Sequence, residues 1–365
     1  DEDITLSCQE GQAIVFRHDL MDYTYLPEGK QVAMQAWIFR EQQAGECNLS
    51  QPELMAYADV IEEIPRGPLY GNNGKSIDNM AFATRIPGMV NSPEGYWTAL
   101  CNGYDGVIRI PLTRWDHDFY WQPEPDIAAA MGKAYVQHMG LTDNDTQMFC
   151  FDNEFFGITE EEVTMIDPPA RCSLEVGYDC LYRSGWTKPL LKGASVIVVM
   201  GCANGEFEQH QMNQWRMPIN TRTKECTNMG CTSARLHYCL GMVGRSASVE
   251  TACSSSLTAI SLMHTHMRPD QSGQMKLAGK QEKYGMGMGA NGHFDPFYMI
   301  GLCGAKMLTI QGRCFTFDQS GDGFVRGEGQ AAMYYKQSDG EDLARLAMLC
   351  GTCMNQDGRS ASLTA

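Results

Sequence analysis

From Ile77 onward the chain alternates apolar runs, glycine-rich turns and stretches with helical spacing. "GASVIVVMG" (193–201) is a continuous apolar run of strand length, which predicts a strand buried on both faces of a layered α/β structure. "GRSASVETA" (244–252) predicts a second strand, and "LARLAMLCGTCMNQDG" (343–358) contains a late one. In "VNSPEGYWTALCNG", Ser92 is a helix N-cap, with Pro93 at the first helical position and Glu94 in the first turn. "TEEEVTMIDPPARCSLEVGYDCLYRSG" (159–185) reads as two helices hinged at Pro168 and Pro169, the second with Leu174, Tyr178 and Leu181 on its apolar face.

Residues 1–75 read differently. They mix charged stretches such as "IFREQQAGE" with a helical spacing over "LMAYADVIEEI" (54–64), and they close on the loop-like "PRGPLYGNNGK". This places a boundary near Lys75, with an N-terminal extension of unassigned role before it. There is no internal repeat. The start, "DEDITLSCQE", lacks Met and a charged-then-apolar leader, so a trimmed or partial sequence without a signal peptide is expected.

Composition narrows the function classes. With 43% apolar and 20% charged residues the chain can build a core. A formal charge of −16 speaks against a nucleic-acid backbone or an anionic membrane as partner. No apolar run approaches the roughly 20 residues of a membrane span. Fifteen cysteines, an odd number in a long chain, point to reduced and mostly buried thiols in an intracellular protein.

Several motifs invite chemistry and lose it on inspection. "GMGMGANG" (285–292) holds a G-x-G-x-x-G, but neither an apolar strand before it nor a helix pattern after it supports a dinucleotide site; a glycine-rich strand or turn fits better. "DQSGDGFVRGEG" (318–329) starts like a calcium loop at Asp318, Ser320 and Asp322, yet Gly329 stands where the bidentate Glu belongs and Glu328 falls one short. These residues are expected to hold a structural loop. "CGTC" (350–353) lies in a strand-like run, not at a helix start as a redox pair would; a zinc site would need two further ligands, for which Cys226 and Cys231, five apart, are a possible second pair. No metal site is expected. His264 and His266 follow Cys253 by eleven and thirteen residues and fall on different helix faces, as ordinary core or surface histidines.

Cys253 has two readings on its residues alone: one more buried thiol, or a nucleophile. A strand-like "SASVET" precedes it, and "SSSLTAISLMHTHM" follows with Leu257, Ile260 and His264 at helical spacing. It therefore sits on a strand-to-helix turn at a helix start, where amides and the helix dipole favour a thiolate. Its small neighbours, Ala252 and Ser254 to Ser256, leave room for a substrate carbonyl.

"VETACSSSL" (249–257) closely resembles the active-site segment of β-ketoacyl synthases, the condensing enzymes of polyketide and fatty acid synthesis, with Glu250 in place of the family's Asp. "PGMVNSPEGYWTALCNGYDGVIRIPLTRWD", "FGITEEEVTMIDPPARCSLEVGYDCL" (Pro169 and Ala170 replacing two glutamines), "GRCFTFDQSGDGFVRGEG" and "NQDGRSASLTA" match in the family's order. The resemblance covers residues 76–365. It implies an α/β, thiolase-like fold: two similar halves in a layered α-β-α-β-α sandwich, here the N-terminal half with the C-terminal half truncated. It implies acyl transfer from a phosphopantetheine thioester to Cys253, whose own N–H would be one oxyanion donor, with Ala252 and Ser254 lining the substrate path. Decarboxylative condensation with a malonyl-type thioester would follow. The two family histidines for that step belong to motifs after "NQDGRSASLTA" that this chain lacks, so condensation by residues 1–365 alone is not expected. No bound cofactor is implied; phosphopantetheine arrives on acyl carrier protein or coenzyme A. The implied partners are acyl carrier protein, acyl and malonyl thioesters and, at full length, a second copy, in the cytoplasm or a plastid. Two alternatives stand beside this reading. One is a non-condensing ketosynthase-like subunit that docks carrier protein or a partner subunit. The other is a cysteine hydrolase on another fold, for which no histidine stands in a suitable context.

Overall fold

The structure is a computed structural model that describes residues 77–142, 148–202, 206–207, 228–268, 282–338, 344–356 and 358. The extension up to Lys75, its boundary and the helix expected over 54–64 lie outside these residues. The strands are β1 (Ile77–Arg85), β2 (Val107–Arg109), β3 (His138–Gly140), β4 (Val196–Cys202), β5 (Ser246–Val249), β6 (Tyr284–Asn291), β7 (Gly329–Gln337) and β8 (Ala347–Leu349). The helices are α1 (Pro93–Cys101), α2 (Pro125–Met131), α3 (Asn153–Phe156), α4 (Glu160–Val163), α5 (Pro168–Arg183), α6 (Lys188–Leu191), α7 (Thr232–Leu240), α8 (Ser255–Met267) and α9 (Pro296–Gly304).

Six strands form one mixed sheet in the order β5-β4-β6-β7-β1-β8. β4 runs parallel to β5 and β6, while β6–β7, β7–β1 and β1–β8 are antiparallel. Helices cover β4 on both sides, which is why its sequence is continuously apolar. Val196, Val198 and Met200 point into a core shared with Leu174 and Leu181 of α5 and Leu236 and Leu240 of α7. Ile197 and Val199 point the other way, against Ala259, Met263 and Met267 of α8. The sheet is thus the middle layer between α5/α7 and α8.

The local signals act as the sequence implies. Ser92 caps α1 by accepting from the Gly95 N–H at 3.0 Å. α4 and α5 are separate helices, and α5 begins at Pro168. "GMGMG" is strand β6, not a cofactor loop. One expectation needs correction. All twelve cysteines among the described residues are free, but only Cys172, Cys180, Cys202 and Cys303 are buried, and Cys150, Cys253, Cys314 and Cys353 are exposed. The exposed four sit in loops and turns, outside the sheet and helix faces that bury thiols.

A smaller sheet, β2–β3, carries a second core that includes Trp115, Tyr135, Met139, Met299 and Leu308. A buried ion pair joins it to the main sheet. Arg114 donates from Nη2 to Glu328 Oε1 at 2.7 Å and from Nη1 to Oε2 at 2.9 Å. Glu328 Oε1 also accepts from the Thr142 N–H and hydroxyl at 2.6 and 2.5 Å. Glu328 is therefore internal, far from the role of a calcium ligand. In the same loop Asp318 accepts from Ser320 N–H at 2.8 Å and Asp322 from Ile310 N–H at 3.1 Å. Among the described residues no group of three or more His, Cys, Asp and Glu is placed to hold a metal ion, and no helix is long and apolar enough to cross a membrane.

Candidate active site

β5 ends at Val249, and the chain turns through Ala252–Ser254, a single 3-10 turn, into α8. The turn depends on Ala252, whose φ of 52° lies in the left-handed region. A residue with a β-carbon is disfavoured there by about 1–2 kcal/mol. Hydroxyl groups hold it in place. Ser255 Oγ accepts from the Thr251 N–H at 2.8 Å and donates to the Ala252 carbonyl at 2.7 Å. Ser254 Oγ donates to the Thr251 carbonyl at 2.8 Å. The Thr251 and Thr258 hydroxyls meet at 3.0 Å.

Glycines let α8 sit close to the sheet. A β-carbon on Gly201 of β4 would meet the Ser255 carbonyl group and come within 2.6 Å of the Ser256 nitrogen; one on Gly289 of β6 would lie 2.7 Å from Ser256 Cβ. Gly201 and Gly289 are register neighbours, so two adjacent strands together form a flat seat for the first turn of α8. Further along β6, Gly287 lies under Ile260 and Gly285 under Met263 and Met267. Met286 and Met288 point to the opposite core. The alternation in "GMGMG" is thus a strand with a helix-bearing face of hydrogens and a packing face of thioethers.

The outcome is an exposed Cys253 at the head of α8, beside the C-terminal ends of β4 and β6. Ligands bind at that end of parallel strands in open α/β sheets. Ala252 and Ser254 flank it, both exposed. The Ser254 hydroxyl is turned back to Thr251 and does not cap the helix; no side chain caps the start of α8. The helix-start dipole is therefore unopposed by a side chain at the head of α8. The use of the hydroxyl run as internal bonding of the turn was not legible in the sequence.

The histidines serve other parts of the molecule. His264 is buried in α8 with Nδ1 3.0 Å from Thr352 Oγ1, and His266 on the outer face meets Arg245 Nη1 at 3.0 Å. His237 is buried between the Ser233 and Val196 carbonyls, and His117 accepts from Trp115 Nε1–H and donates to the Val136 carbonyl. His18 and His210 lie outside the described residues. These placements give the hydrolase alternative no histidine bonded to Cys253 among the described residues.

A buried polar layer lies at the same end of the sheet, just after β6. Glu206 receives Arg326 Nη2 at 2.9 Å, His293 Nδ1 at 3.2 Å and the Phe294 N–H at 3.2 Å. Burial works to raise the Glu206 carboxyl, but His293 and Arg326 outweigh it and hold it below the ordinary range. Asp167, the N-cap position of α5, behaves oppositely. It is 1% exposed, and neither carboxylate oxygen has a hydrogen-bond partner. A capping side chain usually accepts from the second or third helical N–H. Pro169 removes the second donor, and no side-chain cap bond forms. Burial pushes this carboxyl up to about 8; Arg171 opposes the rise and the Glu206 charge adds to it.

A mixed sheet layered between helices, with an exposed thiol on a left-handed turn at a glycine-seated helix, defines an α/β protein of the thiolase-like class. The model of the β-ketoacyl synthase N-terminal domain matches residues 76–339. The chain belongs to the β-ketoacyl synthase family. It is 34% identical over 289 residues to a mycocerosic acid synthase-like polyketide synthase of Mycolicibacterium smegmatis, covering 78% of this chain and 13% of that protein. It is also 34% identical over 295 residues to a phenolphthiocerol/phthiocerol polyketide synthase of Mycobacterium tuberculosis, covering 78% of this chain and 15% of that one. Among solved structures, the ketosynthase from module 6 of the bacillaene synthase of Bacillus subtilis superposes with a TM-score of 0.64 at 26% identity, covering 80% of this chain and 45% of that one. An oxazolomycin ketosynthase domain of Streptomyces albus gives 0.61 at 27% identity, with 72% and 43% covered. The chain thus spans a small part of the curated synthases and under half of each ketosynthase chain.

Proposed function

We propose that this chain is part of a condensing enzyme of polyketide or fatty acid assembly, and that Cys253 is its acyl acceptor. The observation that carries the reading is the exposed Cys253 on its left-handed turn, at a helix start that no side chain caps. In the first half-reaction the sulfur attacks the carbonyl of an acyl-phosphopantetheine thioester. A C–S bond forms, the tetrahedral oxyanion collapses, and the pantetheine thiol leaves with a proton. Backbone N–H groups at the turn, that of Cys253 included, would stabilise the oxyanion. In the second, loss of CO2 from a malonyl-type thioester gives a carbanion that attacks the acyl-Cys253 carbonyl and releases the cysteine. Covalent catalysis divides one hard step into two easier ones. Acyl carrier protein is the partner that would deliver both thioesters, with Ala252 and Ser254 beside their path.

The test is incubation of the full chain with an acyl-pantetheine thioester and mapping of the adduct by mass spectrometry. Acylation is expected at Cys253 and lost in Cys253→Ala. Label that persists in that variant, or that resides mainly on Cys350 or Cys353, overturns the assignment.

A further inference from the structure

We infer that Ser255 is a positioning residue: its hydroxyl clamps the left-handed turn at Ala252 and thereby aims Cys253. The inference rests on the reading of Cys253 as acyl acceptor and goes beyond it, because Ser255 touches no substrate. Ser255 is 6% exposed while its neighbours Cys253, Ser254 and Ser256 are exposed. Its hydroxyl is therefore turned inward, away from any path to the thiol.

The two bonds it makes bracket the strained residue. The Thr251 N–H lies before Ala252 and donates to Ser255 Oγ; the Ala252 carbonyl lies after the α-carbon and accepts from the same oxygen's proton. The backbone on both sides of Ala252 is thus tied to one atom. Rotating Ala252 to negative φ would swing these groups apart and break both bonds. The atom itself cannot drift, because the Ser255 backbone is pressed on Gly201, where no β-carbon fits. Ser254, by contrast, bonds the carbonyl and the hydroxyl of Thr251, both on one side of Ala252. The left-handed residue directly precedes Cys253, so a change at Ala252 redirects the Cys253 amide and side chain together.

The consequence is a specific pattern of loss and rescue. In Ser255→Ala the clamp is gone, and the β-carbon of Ala252 drives the turn toward negative φ. Two hydrogen bonds of about 1 kcal/mol each correspond to a loss of roughly 10- to 30-fold in the aimed population. A glycine at 252 removes the penalty on positive φ, so adding Ala252→Gly should recover about five-fold or more. A residue that merely fills space would not be rescued from three positions before it.

The experiment uses the full chain in five forms: wild type, Ser255→Ala, Ser255→Thr, Ala252→Gly and the double variant Ser255→Ala with Ala252→Gly. Three quantities are read: acylation of Cys253 by an acyl-pantetheine thioester, alkylation of Cys253 by iodoacetamide relative to Cys353, and the thermal midpoint. Ser255→Ala should slow acylation by about 10-fold or more while changing relative alkylation by less than about threefold, since alkylation needs access more than aim. The double variant should regain most of the lost rate, and Ser255→Thr, which keeps the hydroxyl, should lose less than Ser255→Ala. Equal losses in acylation and alkylation, or a double variant no faster than Ser255→Ala, overturn the clamp. If wild type is not acylated, the acyl-acceptor reading falls and the clamp is judged by a crystal structure of Ser255→Ala. Ala252 is expected to leave the left-handed region there, and its remaining at positive φ overturns the inference.

Discussion

Asp167→Asn should make the protein more stable in alkali and slightly less stable in acid. Pro169 removes one of the carboxyl's cap donors, no side-chain cap bond forms, and the group is buried with both oxygens unbonded. The folded state therefore holds the Asp167 proton more tightly than the unfolded chain does. Stability is fully present below the ordinary carboxyl range, falls as pH rises, and levels off above the folded value. Taking about 3.9 for the unfolded carboxyl and about 8 for the folded one, the cost reaches about 1.5 kcal/mol at pH 5, about 4 kcal/mol at pH 7 and about 5.5 kcal/mol at pH 9. Asparagine does not titrate, and its buried amide carries a penalty of about 1–3 kcal/mol at every pH. The difference between variant and wild type thus changes sign, from neutral or mildly destabilising at pH 5 to stabilising by roughly 3 kcal/mol at pH 9. Thermal midpoints by circular dichroism across pH 5–9 give the curve directly. A difference that stays constant over that range, or that favours wild type more as pH rises, refutes the argument, because it shows that Asp167 ionises in the folded protein as it does in water.

Three further outcomes follow from the packing. Glu328→Gln leaves the Arg114 guanidinium buried without its counter-charge and should cost about 3–5 kcal/mol, read as a lowered denaturant midpoint; a loss below about 1 kcal/mol would show that the pair is not desolvated as placed. Gly201→Ala pushes a β-carbon into the backbone of the first turn of α8 and should both destabilise by about 1–3 kcal/mol and slow Cys253 acylation, whereas Gly285→Ala meets the flexible side chains of Met263 and Met267 and should do less of either; equal effects at the two positions would contradict the close seat. Calorimetric titration with calcium should show no micromolar site, since Glu328 is committed to Arg114; micromolar binding abolished by Asp322→Ala would overturn the structural reading of that loop.

Local signals in the sequence carried much of the fold. β4 announced itself because burial on two faces leaves only one kind of residue to use, and the Ser92 cap and the Pro168 start of α5 are one-position signals with one geometric meaning. Order across the sheet was not legible, because β7 pairs with β1 across some 250 residues and no local pattern encodes a partner that distant. At the site, the strand-to-helix turn around Cys253 was legible in the sequence, while its proposed role rests on the resemblance of "VETACSSSL" to the β-ketoacyl synthase segment. Ser255 was missed because three consecutive serines look alike in sequence, and only the turn decides which of them faces inward. In "GMGMGANG" the G-x-G-x-x-G of Gly287, Gly289 and Gly292 fits a glycine-rich strand, as the structure has it, but the use of Gly285, Gly287 and Gly289, spaced by two, as one strand face reduced to hydrogens depends on the helix above them and is not in the local pattern. Asp167 beside two prolines could have raised the question of where its cap donors had gone.

The seat under α8 is not equally stiff along its length. At the Gly201 and Gly289 end the helix rests on backbone and a β-carbon; at Gly287 it rests on a branched side chain; at Gly285 it rests on the thioethers of two methionines. The helix has 13 residues, about 20 Å of lever. A lever clamped at one end and cushioned at the other sends its tilt to the cushioned end. Neighbouring substitutions, thermal agitation and the slow drift of core volumes can all be taken up near Met263 and Met267, which readily change rotamer. The thiol at the clamped end stays still while they do. Such a gradient allows the remote core of this helix to diverge in sequence while the turn at its head keeps its shape.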